Sequence, residues 1–461
     1  MRVLLILLAG QAMATMDASI LAVAAPSLQQ SLGASDAQLQ LVVAMYTIAF
    51  AALVVTGARL GDVLGRRRAF LIGLTGFTLA SLAGGLAPNP AVLIVARACQ
   101  GAGGALMTPQ VLAIIQLQFE GELRARAIGA YSLILAVGVA AGQILGGLLV
   151  GAHLLAAAWR PALLLNAPIG VLLLLGARRG LPALAPGPPR RLDLAGAAIL
   201  STALLMLVVP LTFGRDNGWP RWVWPSFAAC AIALTAFVAV ERRVREPVFD
   251  LDVLRLPGVA AGFAAVLLIM GSYAGFLLSL TLHLQDGLGF SPLHAGVTFA
   301  AYASGFATAS LTWTRASLAA RERLPVIGPL AMGAALLGVG LVAAGGGWPV
   351  ALTTPLLFAG GAGHACGFSP LANRMTAAVA PAQAADLSGL LITASLAGSV
   401  LGTAAFVGVY LSAAAHGSAH ALAQATGVLA VALVATAACA LAALASTREE
   451  PRRWLAFARR S

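Results

Sequence analysis

Long apolar runs alternate with short polar turns along the whole chain. Runs bounded by charged residues or Pro/Gly turns predict helices near 3–28, 38–60, 69–87, 91–118, 125–151 and 160–178. Past a Pro-rich stretch, further helices are predicted near 193–213, 222–241, 258–285, 292–315, 325–345, 349–378, 385–413 and 420–446. A hydrocarbon core about 30 Å thick is crossed by roughly 20 helical residues, so each run is long enough to span. The expected fold class is an all-α polytopic membrane protein with 14 transmembrane helices.

The turns divide these helices. Residues 1–180 form an N-terminal six-helix bundle, and 181–191, LPALAPGPPRR, a Pro-rich cytoplasmic linker. Residues 192–241 hold an inserted helix pair, and 242–257 a second cytoplasmic linker. A C-terminal six-helix bundle covers 258–446, followed by a cytoplasmic tail, 447–461. The six, two, six division suggests two duplicated bundles with a pair inserted between them.

Composition agrees with lipid as the solvent: 60% of the residues are hydrophobic and only 10% charged, with a mean hydropathy of +0.92. The chain contains no lysine, so its 28 basic residues are all arginine, and against 16 acids they give a formal charge of +12. These arginines sit in short turns between spans, so they signal orientation rather than a nucleic-acid surface. With an even number of spans and a cytoplasmic N-terminus, only Arg160, Arg215 and Arg221 fall outside and Arg97 falls within a span. Both termini are therefore expected on the cytoplasmic side. The arginine-rich tail beside Trp454 is expected either to lie on the anionic inner leaflet or to fray into solvent. Cys99, Cys230, Cys366 and Cys439 fall within predicted spans without CxxC or metal spacing. Ala12-Met13-Ala14 has the look of a cleavage site, but apolar residues continue to Pro26, which favours a first span over a leader.

Two charges lie deep in spans. A carboxylate in lipid is costly unless paired, hydrated or protonated, which makes Asp17 a functional candidate. Counted from Val3, Asp17 lies about 21 Å into the bilayer, roughly 9 Å short of the outer edge of a 30 Å core. The fourth predicted span enters from outside near Ala91, which puts Arg97 about 9 Å below the same edge. The opposite charges share a depth.

The turn ARLGDVLGRRRAF, 58–70, places Asp62 before Arg66, Arg67 and Arg68. It closely resembles the loop between helices 2 and 3 of the major facilitator superfamily, G-x-L-x-D-R-x-G-R-R/K. Asp62, Gly65, Arg66 and Arg67 match, whereas Ala58 and Val63 depart from the pattern. RACQGAGGA, from Arg97, matches that family's helix 4 pattern R-x-x-Q-G-x-G. MDASILAVAAP, WRPALLLNAPIG, RRLDLAGAAIL and GWPRWVW are similar to its 14-helix drug:proton antiporter branch. AVGVAAGQILGG resembles the antiporter motif G-x-x-x-G-P-x-x-G-G, with Gly138, Gly142, Gly146 and Gly147 retained and Gln143 in place of proline. These glycines also suit plain close helix packing.

The resemblance implies a proton-coupled exporter of a lipophilic or drug-like compound, working by alternating access, with the proton as coupling ion and no cofactor. It implies a bacterial cytoplasmic membrane, a small-molecule substrate, the lipid bilayer as surroundings and a functional monomer. Asp17 is then expected to carry the proton, with Arg97 favouring its release inward. The competing reading is a static ion pair holding the first and fourth spans together. By resemblance, Asp62 sits against the helix starting near Asp386, and Arg66 pairs with Glu120 or Glu122, locking the cytoplasmic side.

A substrate cavity is expected near the midplane. Met13, Tyr46, Met107, Gln110 and Tyr131 are candidate lining residues from the first half, with Gln143 beside them. Tyr273, Phe276, Tyr302 and Phe306 are the candidates from the second, since aromatic and Met side chains adapt to varied apolar ligands. His283 with Asp286, and His364, are open to pH sensing, although an ordinary hydrogen-bonded histidine is the expected state. Asn166 is expected to satisfy backbone groups freed by Pro168. Uptake or facilitated diffusion of a metabolite, or a transport-inactive scaffold or sensor, remain as alternatives. With no nucleotide loop, metal cluster or nucleophile beside a base, no enzymatic function is expected.

Overall fold

A computed structural model describes residues 2–151, 159–182, 194–214, 218–244, 251–379 and 383–458. The greater part of the Pro-rich linker, Arg215 and residues 245–250 of the second linker lie outside the described residues, as do the side chains of Gln143, Asp386 and the tail arginines. Every regular element among the described residues is helical.

The first half contains α1 (Arg2–Leu32), α2 (Asp36–Leu64), α3 (Arg66–Gly85), α4 (Pro90–Gln118) and α5 (Gly121–Gly151). They are followed by α6 (Arg160–Leu164), α7 (Asn166–Gly180), α8 (Leu194–Phe213) and α9 (Val223–Glu241). The second half contains α10 (Val259–Leu282), α11 (Pro292–Thr312), α12 (Leu318–Ala344) and α13 (Val350–Ala377). It ends with α14 (Ala384–Gly402), α15 (Gly408–Ala413) and α16 (Ser418–Ala458).

Local chemistry sets several of these boundaries. Ser35 and Gln38 form a reciprocal capping box at the start of α2. The Asn89 side chain accepts from the Val92 amide, with Pro90 as the first helical residue of α4. Gly65, at φ +84° and ψ +134°, ends α2 and starts α3 with no residue to spare. The single expected helix over 160–178 is broken at Leu165 into α6 and α7.

Nine helices among the described residues are long and apolar enough to cross a membrane, or ten if the bent pair Met45–Val54 and Thr56–Leu64 within α2 counts as one span. The expected number is 14; the count covers the described residues alone, and for two of the expected spans, α11 and α13, their absence from it has a physical reason. His294, Thr298, Ser304, Thr308 and Ser310 dilute the apolar character of α11, as Thr353, Thr354, His364 and Ser369 do that of α13. Polar side chains of this kind are affordable in lipid where they turn inward, and Ser310, Thr353, His364 and Ser369 are indeed buried. Outward positions such as Leu172, Ile232 and Val431 are exposed and apolar.

The chain divides into two compact units: Met1–Ala127, Ile134–Val248 and Pro292–Val297 form the first, and Ile128–Leu133, Phe249–Ser291 and Thr298–Ser461 the second. In the first, α4 lies between α2 and α3. A Cβ on Gly101 would strike the Tyr46 carbonyl of α2, and one on Gly103 the Phe77 backbone of α3. The glycines of RACQGAGGA therefore let three helix backbones approach closely. On the far side of α1, Gly138, Gly142 and Gly146 of α5 face Thr15, Ser19 and Ile20 in the same way. α8 rests on α2, where the Ser201 hydroxyl donates to the Ala52 carbonyl.

Candidate functional site

One turn of α4 before its glycines, Arg97 and Gln100 point at α1, and Asp17 comes to meet them. Asp17 is 0% and Arg97 1% exposed. The Arg97 guanidinium Nη1 donates to Asp17 Oδ2 at 2.5 Å and to Gln100 Oε1 at 2.6 Å. The other carboxylate oxygen, Oδ1, accepts from Gln100 Nε2 at 2.7 Å and from Asn166 Nδ2 at 2.6 Å. Both amides also donate to the Ser81 hydroxyl at 3.0 Å, and that hydroxyl donates to the Leu163 carbonyl at 2.9 Å. Helices α1, α3, α4 and α7 thus converge on one carboxylate.

Three N–H donors meet this buried carboxylate, and a hydrogen bond to a charged acceptor is stronger than one to a neutral acceptor. The guanidinium, in turn, has other partners at hand. Its Nε donates to the Val42 carbonyl at 3.4 Å, and its Cζ lies 4.7 Å from the centre of the Tyr46 ring. With Gln100 Oε1 already bound, Arg97 is not stripped of every contact when Asp17 takes a proton.

Asn166 differs from the expectation. Its side-chain Nδ2 donates to Asp17 and to the Ser81 hydroxyl instead of to the backbone. Gln100 and Ser81 were not foreseen as partners, although Gln100 lies one turn from Arg97, a spacing that places two side chains on one helix face.

At the turn between α2 and α3, Arg66 forms an ion pair with Asp62, and Arg59 approaches the same carboxylate at 3.7 Å. Arg66 also donates to the Ala58 carbonyl and to Gln110 Oε1, each at 3.1 Å. The acid it meets is therefore in its own turn, and not Glu120 or Glu122. Glu122 pairs with Arg126 one turn along α5 at 2.9 Å, and both are exposed, while the exposed Glu120 precedes that helix. An i, i+4 partner is reached without moving another helix, which is why Asp62 wins. Arg67 donates to the Arg178 carbonyl at the end of α7, at 2.5 Å.

Gln110 is also reassigned. It is 0% exposed and holds the Gly57 carbonyl at 2.9 Å as well as Arg66, so it braces the charged turn. Met13 and Met107 are buried in the interior of the first unit, and Tyr46 is engaged with Arg97. Tyr131 is buried as well.

In the second unit, Tyr273 and Phe276 of α10 and Tyr302 and Phe306 of α11 come together around His364 of α13. Tyr302 Oη and His364 Nδ1 are 3.0 Å apart. His283 is buried near the end of α10, where its ring lies 5.8 Å from that of Trp348. Among the described residues, no three His, Cys, Asp or Glu side chains gather as metal ligands.

Comparison with known proteins gives this geometry a context. The sequence model of the Major Facilitator Superfamily matches residues 7–403. The chain is 37% identical over 403 residues to the cephamycin export protein of Amycolatopsis lactamdurans, covering 84% of this chain and 80% of that protein. It is 36% identical over 405 residues to a puromycin resistance protein of Streptomyces alboniger, covering 87% and 79%. A probable actinorhodin transporter of Streptomyces coelicolor is 41% identical over 298 residues, covering 64% of this chain, which spans about half of that relative's length, 51%. Among solved structures, the human organic anion transporter MFSD10 is similar in fold, with a TM-score of 0.69 at 18% identity, covering 95% of this chain and 99% of that one.

Proposed function

The chain belongs to the major facilitator superfamily, and on that premise we propose that it is a secondary transporter exporting a lipophilic, drug-like compound in exchange for protons. The relatives named for cephamycin export and puromycin resistance support export as the direction. The observation that carries the coupling is the buried carboxylate of Asp17, held by Arg97, Gln100 and Asn166.

In the proposed cycle, a proton reaches Asp17 from outside and neutralises it. Arg97 then relaxes onto Gln100, Val42 and the Tyr46 ring, and the tie between α1 and α4 weakens. Inward release of the proton restores the ion pair. Asp62 and Arg66, braced by Gln110, hold the turn between α2 and α3 on the cytoplasmic side while the site faces outward. Rocking of two six-helix bundles, 1–180 and 258–446, would expose a central site to each side in turn. The full arrangement in this reading has 14 spans, including the inserted pair 192–241, with both termini cytoplasmic in a bacterial inner membrane, and the working unit is a monomer.

Transport by the purified protein in proteoliposomes, with and without an imposed pH gradient, tests the reading. A gradient should drive a lipophilic substrate uphill for the natural protein, and Asp17→Asn should abolish uphill movement. Undiminished uphill transport by Asp17→Asn would reduce the network to a static clamp.

A further inference from the structure

Helix α2 changes direction inside the first unit. Its segments Met45–Val54 and Thr56–Leu64 meet at 53°. A sharp bend in a helix has an identifiable cause: a proline, small residues such as a Gly/Ser pair, a π turn, or a side chain that enters the backbone ladder. No proline occurs in α2, and its described residues contain no π turn. Gly57 follows the bend, but its carbonyl is held by Gln110 Nε2 at 2.9 Å, and a Cβ there would strike the Ala105 carbonyl. That glycine admits α4 and permits curvature without imposing it.

The remaining cause comes from the inserted pair. Ser201 of α8 donates its hydroxyl to the Ala52 carbonyl. In an unbroken helix that carbonyl pairs with the amide of Thr56, the first residue past the break. A hydroxyl on this oxygen competes with the ladder where the ladder bends. α8 is seated to hold it there: Leu200, Ala203 and Leu204 are buried, and half-buried Ser201 lies at the edge of that face.

The two segments have different attachments. Before the bend, Tyr46 lies against the Arg97 guanidinium, and its carbonyl lies against Gly101 of α4. Past the bend, Gln110 holds Gly57 and, through Arg66, the turn that carries Asp62. The bend therefore sets where the charged turn lies relative to the buried ion pair.

We propose that Ser201 is a positioning residue: by holding the Ala52 carbonyl, the inserted helix pair fixes the bend of α2 and with it the place of the Asp62–Arg66 turn. The inserted pair then has a mechanical task within the first unit. Its geometry is tested without transport, and only its effect on turnover rests on the export reading.

The segment past the bend, Thr56–Leu64, is about 13 Å long, so losing a quarter of the 53° bend carries its end about 3 Å sideways. The full chain, with Cys99, Cys230, Cys366 and Cys439 replaced by alanine, carries nitroxides on Val63→Cys paired with Leu123→Cys or with Leu172→Cys, all exposed positions. Pulsed electron paramagnetic resonance in lipid nanodiscs reads the distances. Ser201→Ala should move at least one mean distance by about 2 Å or more, and Ser201→Thr, which keeps the hydroxyl, should leave both within about 1 Å. Movement of less than about 2 Å in Ser201→Ala would overturn the proposal and leave the bend to Gly57 and its contact with α4. In proteoliposomes, Ser201→Ala should lower turnover about fivefold with KM within about twofold, and Ser201→Thr should restore it. Moved distances with unchanged turnover would overturn the role assigned to Ser201 in positioning the turn. If the distances move as expected but the natural protein exports nothing, the brace stands and the export reading falls.

Discussion

The Asp17–Arg97 pair makes an energetic prediction that can be checked by a double-mutant cycle in detergent. Asp17→Asn leaves the Arg97 guanidinium, 1% exposed, without a counter-charge, and whichever way the new amide turns, its N–H₂ faces a donor, Arg97 Nη1 or the Gln100 and Asn166 amides. Removing one member of a buried ion pair costs about 3–5 kcal/mol. The nearby Gln100 Oε1 at 2.6 Å, Val42 carbonyl at 3.4 Å and Tyr46 ring at 4.7 Å soften the loss, which places the expected cost near the lower end, about 3 kcal/mol. Arg97→Gln leaves a buried carboxylate with two amide donors, and a cost of about 3 kcal/mol is again expected. The double variant leaves no unpaired charge, so its cost should fall well short of the sum, by at least about 2 kcal/mol. Unfolding in mixed micelles of rising denaturing-detergent content, followed by circular dichroism, measures all four proteins. Additivity within about 0.5 kcal/mol would refute the reasoning, since it would mean that the two charges do not sense one another.

Two further outcomes follow from the charged turn. Asp62→Asn should insert and fold normally but transport poorly in proteoliposomes, because it releases Arg66 and Arg59 without touching the buried pair; normal transport would count against a role for the turn. Gly65→Ala should lose about 1–2 kcal/mol in the same micellar unfolding assay through its φ of +84° alone, since an added Cβ meets nothing within 4 Å. Gly65→Asn should fare no better, because the ψ of +134° lies outside the left-handed helical region that asparagine tolerates.

The helices were legible because lipid imposes one rule along the whole chain: an apolar run must satisfy its own backbone, and a helix does so. Each apolar run coincides with helix, most ends displaced by a few residues, as where α12 starts at Leu318 rather than near 325, whereas α16 runs on well past the expected end at 446, to Ala458. The meeting of Asp17 with Arg97 was also legible, since depth follows from residue count and two opposite charges at one depth in lipid have strong reason to pair. The uncharged partners were not. Gln100, Ser81 and Asn166 carry no charge to betray them, and an amide in a helix has several ways to be satisfied. The pairing of Arg66 failed for a related reason. Resemblance supplied a partner on another helix, whereas the local i, i+4 geometry supplied a closer one in Asp62.

The buried pair also decides how the membrane voltage acts on this protein. Joined as carboxylate and guanidinium, Asp17 and Arg97 form a dipole with no net charge, and the transmembrane field exerts almost no pull on it. Protonation of Asp17 leaves the guanidinium as an uncompensated unit charge inside the low-dielectric slab. A unit charge moved across the whole potential is worth about 2.3 kcal/mol per 100 mV, so an inside-negative membrane draws the protonated unit inward by some fraction of that energy. In the proposed cycle the same four-helix junction is electrically silent with the ion pair intact and voltage-sensitive once Asp17 is protonated, so the electrical gradient would act as a second driving force beside the chemical one.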